Sequence, residues 1–194
     1  MVALALAAVP LAAQETGTPV FMAPYRAFEK TEFGAMFSDP GSGVGNWALE
    51  GEYGFGFGGY DVVLNGGYLD RDDGGAGTIG ASMRSRIITA SQSFPLDGAF
   101  TLGIGSVVGE GADAVWIPIG LSLGRRVELE GSQTSFVPYI HPVLAPRLQS
   151  GSDAALDIAV GIGVDIRFGG NFDVRVSGGL GDIDGVAIGL VWVH

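Results

Sequence analysis

One stretch, residues 155–168 (ALDIAVGIGVDIRF), constrains the fold of this chain more than any other. Its even-numbered side chains are all large and apolar, whereas its odd-numbered ones from 157 to 167 are small or charged. Because a β-strand sends alternate side chains to opposite faces, the stretch predicts a strand with one apolar and one small, polar face. The apolar side chains are Leu156, Ile158, Val160, Ile162, Val164, Ile166 and Phe168.

The polar face of this strand indicates which solvent the apolar face meets. A water-soluble sheet usually presents Lys, Glu, Thr and Ser on its outer face, whereas this strand presents Gly, Ala and charged side chains. That combination is typical of a barrel with lipid outside and a narrow polar lumen inside. The chain contains 34 glycines among 194 residues, which suits a crowded interior where backbones and side chains approach closely. The sequence therefore predicts a transmembrane β-barrel.

The same alternation recurs along residues 28–194 and predicts about ten strands, with eight as the alternative if two segments stay outside the barrel. The predicted fold is all-β: a closed, antiparallel, up-and-down transmembrane barrel forming one domain. Gly58-Gly59 predicts a two-residue hairpin turn that sets Phe57 opposite Tyr60. We expect this turn and Gly169-Gly170 to lie at the same, periplasmic end. Their flanking aromatic residues, Phe57, Tyr60, Phe168 and Phe172, are expected to belong to one interfacial girdle.

Two segments precede the barrel pattern. Residues 1–13 are apolar and end in small residues, which is typical of a secretory signal peptide, although a positively charged start is missing. Residues 14–27 show no period and are interpreted as a leader. Farther along, the strand that contains Pro138, Pro142 and Pro146 is unusual, because proline is normally excluded from paired strand interiors. We expect it to be bulged, poorly paired or partly outside the sheet.

The pattern as a whole resembles the small outer-membrane β-barrel proteins, the broad outer-membrane-protein-A/X/W-like group. The resemblance covers roughly residues 28–194 and lies in the glycine-rich alternating strands and the closing GVAIGLVWVH. Members of the group usually end in an aromatic residue preceded by apolar residues at alternate positions. Here Trp192, Leu190, Ile188 and Val186 match, whereas the last residue is His194. The resemblance implies a bacterial outer-membrane location and contact with lipid and with the barrel-insertion machinery.

Charged side chains on the polar faces form the candidate site. They could line a pore or a binding pocket, or they could form a structural salt-bridge network, which a lumen of this size favours because it leaves room only for side chains. A buried charge must be paired, since an unpaired one costs several kcal/mol. The set is Glu50, Glu52, Asp61, Arg84, Arg86, Arg147, Asp157, Asp165, Arg167, Asp173 and Arg175.

Enzymatic chemistry has one candidate residue, His141. It faces inward near Tyr139, so an Asp–His hydrolase like the ten-stranded outer-membrane proteases is an alternative. Those enzymes, however, keep their acidic and histidine residues at the extracellular rim, whereas His141 lies mid-strand among prolines. His141 and His194 are the only histidines, too few for a three-histidine metal site. The sequence shows neither a nucleophile elbow nor a phosphate-binding loop, and we expect no catalysis, no cofactor and no metal.

Three classes of function follow from these observations. The leading one is an outer-membrane protein with a structural or small-solute passage role and a lumen filled by salt bridges. The second is a barrel subunit of an extracellular assembly that self-associates through its apolar outer wall, and the third is a hydrolase that uses His141. A formal charge of −11 argues against nucleic acid as a partner.

The last hairpin but one allows a prediction of strand register from charge. Only one register sets Asp165 opposite Arg175 and Arg167 opposite Asp173, with Phe168 facing Phe172. Shifting it by one pair in either direction would place like charges opposite each other, which is destabilising in a narrow lumen. We therefore expect a three-residue loop, Gly169-Gly170-Asn171, and we expect an exchange of signs between Asp165 and Arg175 to be tolerated.

Overall fold

The computed structural model describes residues 21–25, 30–40, 44–72, 74–109, 114–149, 151 and 153–194. The signal-like residues 1–13 and most of the leader lie outside the described residues. In the described ranges, no helix is long and apolar enough to cross a membrane. The β-segments are β1 Glu32–Asp39, β2 Trp47–Phe57, β3 Tyr60–Asp70, β4 Ala76–Ile88, β5 Asp97–Gly109, β6 Ala114–Trp116, β7 Ile119–Gly124, β8 Val127–Glu128, β9 Ser135–Gln149, β10 Ala155–Phe168, β11 Phe172–Gly181 and β12 Gly185–Val193.

These segments form a closed antiparallel barrel of ten strands. β6 and β7 are two parts of one strand, interrupted at Ile117 and Pro118, and both pair with β5 on one side and β9 on the other. The short β8 pairs with the start of β9. The barrel closes because β12 pairs with β1 and β9 pairs with β10. The predicted fold class and the count of about ten strands are confirmed.

The two faces of β10 lie as the alternation predicts. Leu156, Ile158 and Ile162 are each more than half exposed on the outer wall, and Val160 and Val164 are partly exposed. Asp157 and Ala159, on the other parity, are buried in the lumen. Closure pairs the edge strands, so the backbone groups of the wall are satisfied within the barrel as a membrane-spanning sheet requires.

The glycine turns also form as the sequence predicts. Phe57 pairs with Tyr60 across Gly58-Gly59, whose φ angles of 57° and 89° are in the left-handed region that favours glycine. Gly169 and Gly170 have φ angles of 58° and 83°. The two turns lie at the same end of the barrel, because an even number of strands separates them and each strand crosses the barrel once. The six strands are β3, β4, β5, the β6–β7 strand, β9 and β10. This end also carries the start of β1 and the end of β12, and we name it the termini end.

The hairpin of β10 and β11 has the register that charge complementarity selects. Asp165 pairs with Arg175, Arg167 with Asp173, and Phe168 with Phe172. The connection between the strands is Gly169-Gly170-Asn171, as predicted.

β9 is more regular than its prolines suggest. It runs without a register shift along β10, from Ser135 opposite Arg167 to Arg147 opposite Ala155. The prolines direct their main-chain polar groups to the other neighbour. The Pro146 carbonyl accepts from Ile117, at the interruption between β6 and β7, and the Pro138 carbonyl accepts from Arg125, just beyond β7. The prolines therefore weaken one seam of the barrel, where β9 meets the interrupted strand, and leave the β9–β10 seam intact.

Candidate functional site: the barrel lumen

The lumen contains the polar face of every strand, and the structure places the predicted charged residues there by parity. Arg147, Asp165 and Arg167 are half-buried, and Arg86 is exposed at the termini end. The other seven are buried: Glu50, Glu52, Asp61, Arg84, Asp157, Asp173 and Arg175.

The largest cluster surrounds Arg175 on β11. Its guanidinium donates from Nη2 to Glu32 Oε2 at 2.8 Å and from Nη1 to Glu52 Oε1 at 2.6 Å. Its Nε lies 3.6 Å from Asp165 Oδ2, and Nη2 lies 3.5 Å from Asp173 Oδ2. One cation thus links carboxylates on β1, β2, β10 and β11, across the seam where the first and last strands meet. Such a group is costly to bury and more costly to break, because each remaining carboxylate would lose its counter-charge.

Arg167 and Asp173 make a second, bidentate pair next to this cluster. Nε donates to Oδ1 at 2.6 Å and Nη2 to Oδ2 at 2.7 Å. The fork of a guanidinium matches a carboxylate in this geometry, which gives both charge neutralisation and a fixed orientation. This pair fixes the register of the β10–β11 hairpin near its turn.

Arg84 on β4 forms the second buried centre. It is 1% exposed and makes an ion pair with Asp61 on β3 through Nη2, with Nε donating at 3.2 Å. Its Nη1 donates to the main-chain carbonyls of Ala23 and Tyr25. The guanidinium therefore pairs with a carboxylate of the barrel wall and donates to main-chain carbonyls of a segment inside the lumen at the same time.

Two smaller groups lie toward the opposite end of the lumen. Arg147 Nε is 3.4 Å from Asp157 Oδ2, which also accepts from the indole nitrogen of Trp116 at 3.2 Å. Glu50 Oε1 accepts from the Thr78 hydroxyl at 2.8 Å and from the Asn65 amide at 3.3 Å. Both donors to Glu50 are neutral. Four residues that take part in the lumen contacts described so far were absent from the predicted set: Glu32, Asn65, Thr78 and Trp116.

A segment of the leader, Phe21–Tyr25, occupies the lumen. Phe21, Met22, Ala23 and Pro24 are all buried, and Tyr25 is partly buried. The Tyr25 hydroxyl bonds to Asp97, and Arg126 and Arg86 lie over the Tyr25 ring at 4.9 and 5.5 Å. We name Phe21–Tyr25 the lumen segment. Sequence reasoning missed it because it has no periodicity, although the Phe-Met-Ala-Pro-Tyr composition is unusually apolar for a solvated leader.

His141 is completely buried and both of its ring nitrogens are engaged. Nδ1 accepts from the Met22 main-chain N–H at 3.1 Å, and Nε2 lies 2.8 Å from the Thr101 hydroxyl. Since Nδ1 is an acceptor, a neutral imidazole carries its proton on Nε2 and donates it to Thr101. The described contacts of this ring hold the lumen segment and contain no carboxylate.

The outer wall bears a belt of aromatic side chains at the termini end. Phe57, Tyr60, Phe168 and Phe172 are all exposed there. The His194 ring stacks on Trp192 with centroids 4.6 Å apart, and on Phe33 at 5.4 Å. Its main chain exchanges two hydrogen bonds with Thr31. The His194 ring thus extends this belt of aromatic side chains.

Within the ranges that the structure covers, no group of three or more His, Asp and Glu residues is arranged to hold a metal ion. The described side chains of the lumen pair charges and hold a peptide segment.

The barrel is similar in fold to a solved outer-membrane-type structure, whereas no family model and no curated protein matches the chain. Among solved structures, the beta domain of the Bordetella autotransporter BrkA is similar, with a TM-score of 0.52 and 15% identity, over 86% of this chain and 99% of that one. A structure from de novo design of transmembrane β-barrels aligns with a TM-score of 0.39 and 13% identity, over 86% and 97% of the two chains. The similarity to the BrkA domain shows the outer-membrane type of barrel fold, without confirming the A/X/W-like group.

Proposed function

From the premise of an outer-membrane-type β-barrel, we propose that the protein is a closed structural barrel of the bacterial outer membrane. In this proposal its lumen is sealed by buried ion pairs and by the lumen segment, and it has no enzymatic activity. The apolar outer wall meets membrane lipid, and the alternating last strand is presented to the barrel-insertion machinery.

A single observation carries the proposal: Arg84 joins the barrel wall to the segment that occupies the lumen. Its guanidinium pairs with Asp61 and donates to carbonyls of Ala23 and Tyr25. A barrel of about eight strands encloses little more than the side chains of its own wall, and two further strands widen that space only moderately because the diameter grows roughly linearly with strand number. Adding a main-chain segment to that space removes the continuous water path that constitutive solute passage requires.

The absence of catalysis is part of the proposal and rests on His141. A general base must reach a substrate proton, and in known hydrolases it is oriented by a third group. Here the ring is inaccessible and both nitrogens are committed to Met22 and Thr101. No substitution of His141 is therefore expected to change a hydrolytic rate, whereas it is expected to loosen the lumen segment.

The test combines location with conductance. After expression in a bacterium, the protein is expected in the outer-membrane fraction, with a gel mobility that changes on heating because the barrel unfolds. Reconstituted into planar bilayers, it is expected to show no steady conductance. Arg84→Gln removes the cation that holds the lumen segment and is expected to produce openings. Arg125→Gln changes an exposed arginine that donates to the Pro95 carbonyl rather than to the lumen segment, and this variant is expected to stay closed.

Other outcomes separate the remaining classes. Steady conductance of the unaltered protein would replace the closed barrel with a small-solute channel. Ordered fibres or shells formed without detergent would favour the extracellular assembly, in which outer walls pack against each other. Peptide or ester hydrolysis that disappears in His141→Ala would favour the hydrolase.

A further inference from the structure

Phe21 lies in a pocket formed by two glycines of the lumen wall. A Cβ at Gly161 on β10 would overlap the Phe21 ring and would lie 2.8 Å from the Phe21 Cβ. A Cβ at Gly179 on β11 would overlap the Ile183 carbonyl oxygen and would lie 2.6 Å from Phe21 Cε2. Real Cβ atoms do not approach carbon this closely, so the ring fits only because both positions lack a side chain.

The edge of this pocket is formed by His141 and Tyr139. The Phe21 and His141 rings meet edge to face with centroids 6.2 Å apart, a favoured geometry for aromatic pairs. The Tyr139 hydroxyl donates to the Phe21 carbonyl at 3.4 Å. Both the ring and the main chain of Phe21 are thus held by β9, β10 and β11.

The rest of the lumen segment is held mostly through its main chain. The Met22 N–H donates to His141, the Met22 carbonyl accepts from Ser122, and the Ala23 carbonyl accepts from Arg84. Ser122, His141 and Arg84 are at most 1% exposed, so these polar groups are built into the wall and require a partner. Contacts to main-chain atoms do not discriminate between side chains. Discrimination therefore falls to the Phe21 pocket and to the contacts of the Tyr25 side chain with Asp97, Arg86 and Arg126.

We propose that the lumen is a peptide-binding site selective for an aromatic side chain, with Phe21–Tyr25 as its resident ligand. Gly161 and Gly179 set the selectivity, while Arg84, Ser122, Tyr139 and His141 bind the peptide main chain. This inference rests on the closed barrel proposed above and adds the chemistry by which the segment is recognised.

The chain has no cysteine, so a single thiol can report occupancy of the site. Met22→Cys replaces a buried side chain with a smaller one inside the lumen segment. In the otherwise unaltered, detergent-folded protein, a large polar maleimide is expected to label this thiol slowly. Adding Gly161→Val fills the pocket of Phe21 and is expected to speed labelling at least tenfold.

Gly51→Val is the matched control. Gly51 lies on the outward face of β2, and a Cβ there would have its nearest atoms at 3.9 and 4.0 Å. It adds the same side chain to a strand glycine without touching the lumen segment, so labelling is expected to stay slow. Heat-dependent gel mobility establishes that each variant contains a folded barrel.

Two further comparisons test selectivity and remain informative if Gly161→Val fails to fold. Phe21→Ala is expected to speed labelling, whereas Phe21→Tyr is expected to change it less than threefold. For the Phe21→Ala chain, a synthetic peptide PVFMAPY is expected to compete for the site and speed labelling further, whereas PVAMAPY is not. The first peptide supplies the aromatic ring that the altered segment lacks.

The outcomes separate this inference from the closed barrel. Slow labelling in both Gly161→Val and Gly51→Val would refute the aromatic pocket while leaving the barrel closed. Equal effects of PVFMAPY and PVAMAPY would refute selectivity. Rapid labelling of Met22→Cys in the otherwise unaltered protein would refute both proposals, since the lumen segment would then be accessible.

Discussion

Ile162 lies on the outer face of β10, near the middle of the strand, with 51% of its surface exposed. Its position makes it the sharpest single-residue test of a lipid-facing wall. Ile162→Arg is expected to destabilise the barrel folded in lipid bilayers, lowering its free energy of unfolding by about 2–4 kcal/mol, because a cation at the bilayer midplane is poorly solvated. Urea titration in lipid vesicles measures the change.

Ile162→Ala is the control for this substitution, because it removes the same apolar side chain without adding charge. Its cost is expected to be clearly smaller than that of the arginine. If the two variants lose equal stability, the site is not at membrane depth, and the outer wall does not face lipid there.

At the scale of an element, the β10–β11 hairpin contains two cross-strand pairs of opposite charge, Arg167 with Asp173 and Asp165 with Arg175. Arg167 and Asp173 form a bidentate pair. In a double-mutant cycle of Arg167→Gln and Asp173→Asn, the coupling energy is expected to be about 1–3 kcal/mol, since these side chains share one pair of hydrogen bonds. Additive losses would contradict the role of this pair in fixing the register.

The exchange of signs between Asp165 and Arg175, which the sequence suggests, has a different expected outcome in the structure. Arg175 also binds Glu32 and Glu52, on strands far from the hairpin in sequence. An aspartate at position 175 would face those carboxylates, so the exchange is expected to be poorly tolerated. Arg175→Gln alone is expected to cost about 3–5 kcal/mol, because it leaves buried carboxylates without their cation. The same urea titration measures both.

At the scale of the whole molecule, the barrel depends on contact between its first and last strands. Ser38 pairs with Ala187, and both are buried. Thr31 and His194 exchange both main-chain hydrogen bonds, so they are a hydrogen-bonded pair of the β1–β12 ladder. Hydrogen-bonded and non-hydrogen-bonded pairs alternate along an antiparallel ladder, and Ser38 and Ala187, an odd number of pairs farther on, are therefore a non-hydrogen-bonded pair. The Cα atoms of such a pair lie about 4.5 Å apart, within the range of a disulfide.

Ser38→Cys with Ala187→Cys is therefore expected to form an intramolecular disulfide on oxidation. The crosslink closes a loop of most of the chain and changes the mobility of the unfolded protein on a non-reducing gel. Ser38→Cys with Ala99→Cys, on β5, is the control and is expected to remain reduced. Equal mobility of the two oxidised pairs would show that the first and last strands are apart.

The sequence alone determined the elements whose cause is local. Alternation assigns Leu156 outward and Asp157 inward because successive side chains of a strand must point to opposite faces. The charges around Gly169 select a register because a hairpin brings together residues only a few positions apart. The sequence equally predicts the turn at Gly58-Gly59, since a positive φ is a property of the residue itself.

Only the tertiary structure decided which lumen groups meet across the barrel. Glu32 and Arg175 are partners because closure pairs β1 with β12, whose other neighbour is β11. The alternation within each strand shows which side chains face the lumen, but it carries no information about which of them meet across strands so distant in sequence. The lumen segment was equally inaccessible to sequence reasoning. Its place depends on a cavity formed where Gly161 and Gly179 approach each other, and the volume of that cavity exists only after the wall has closed around it.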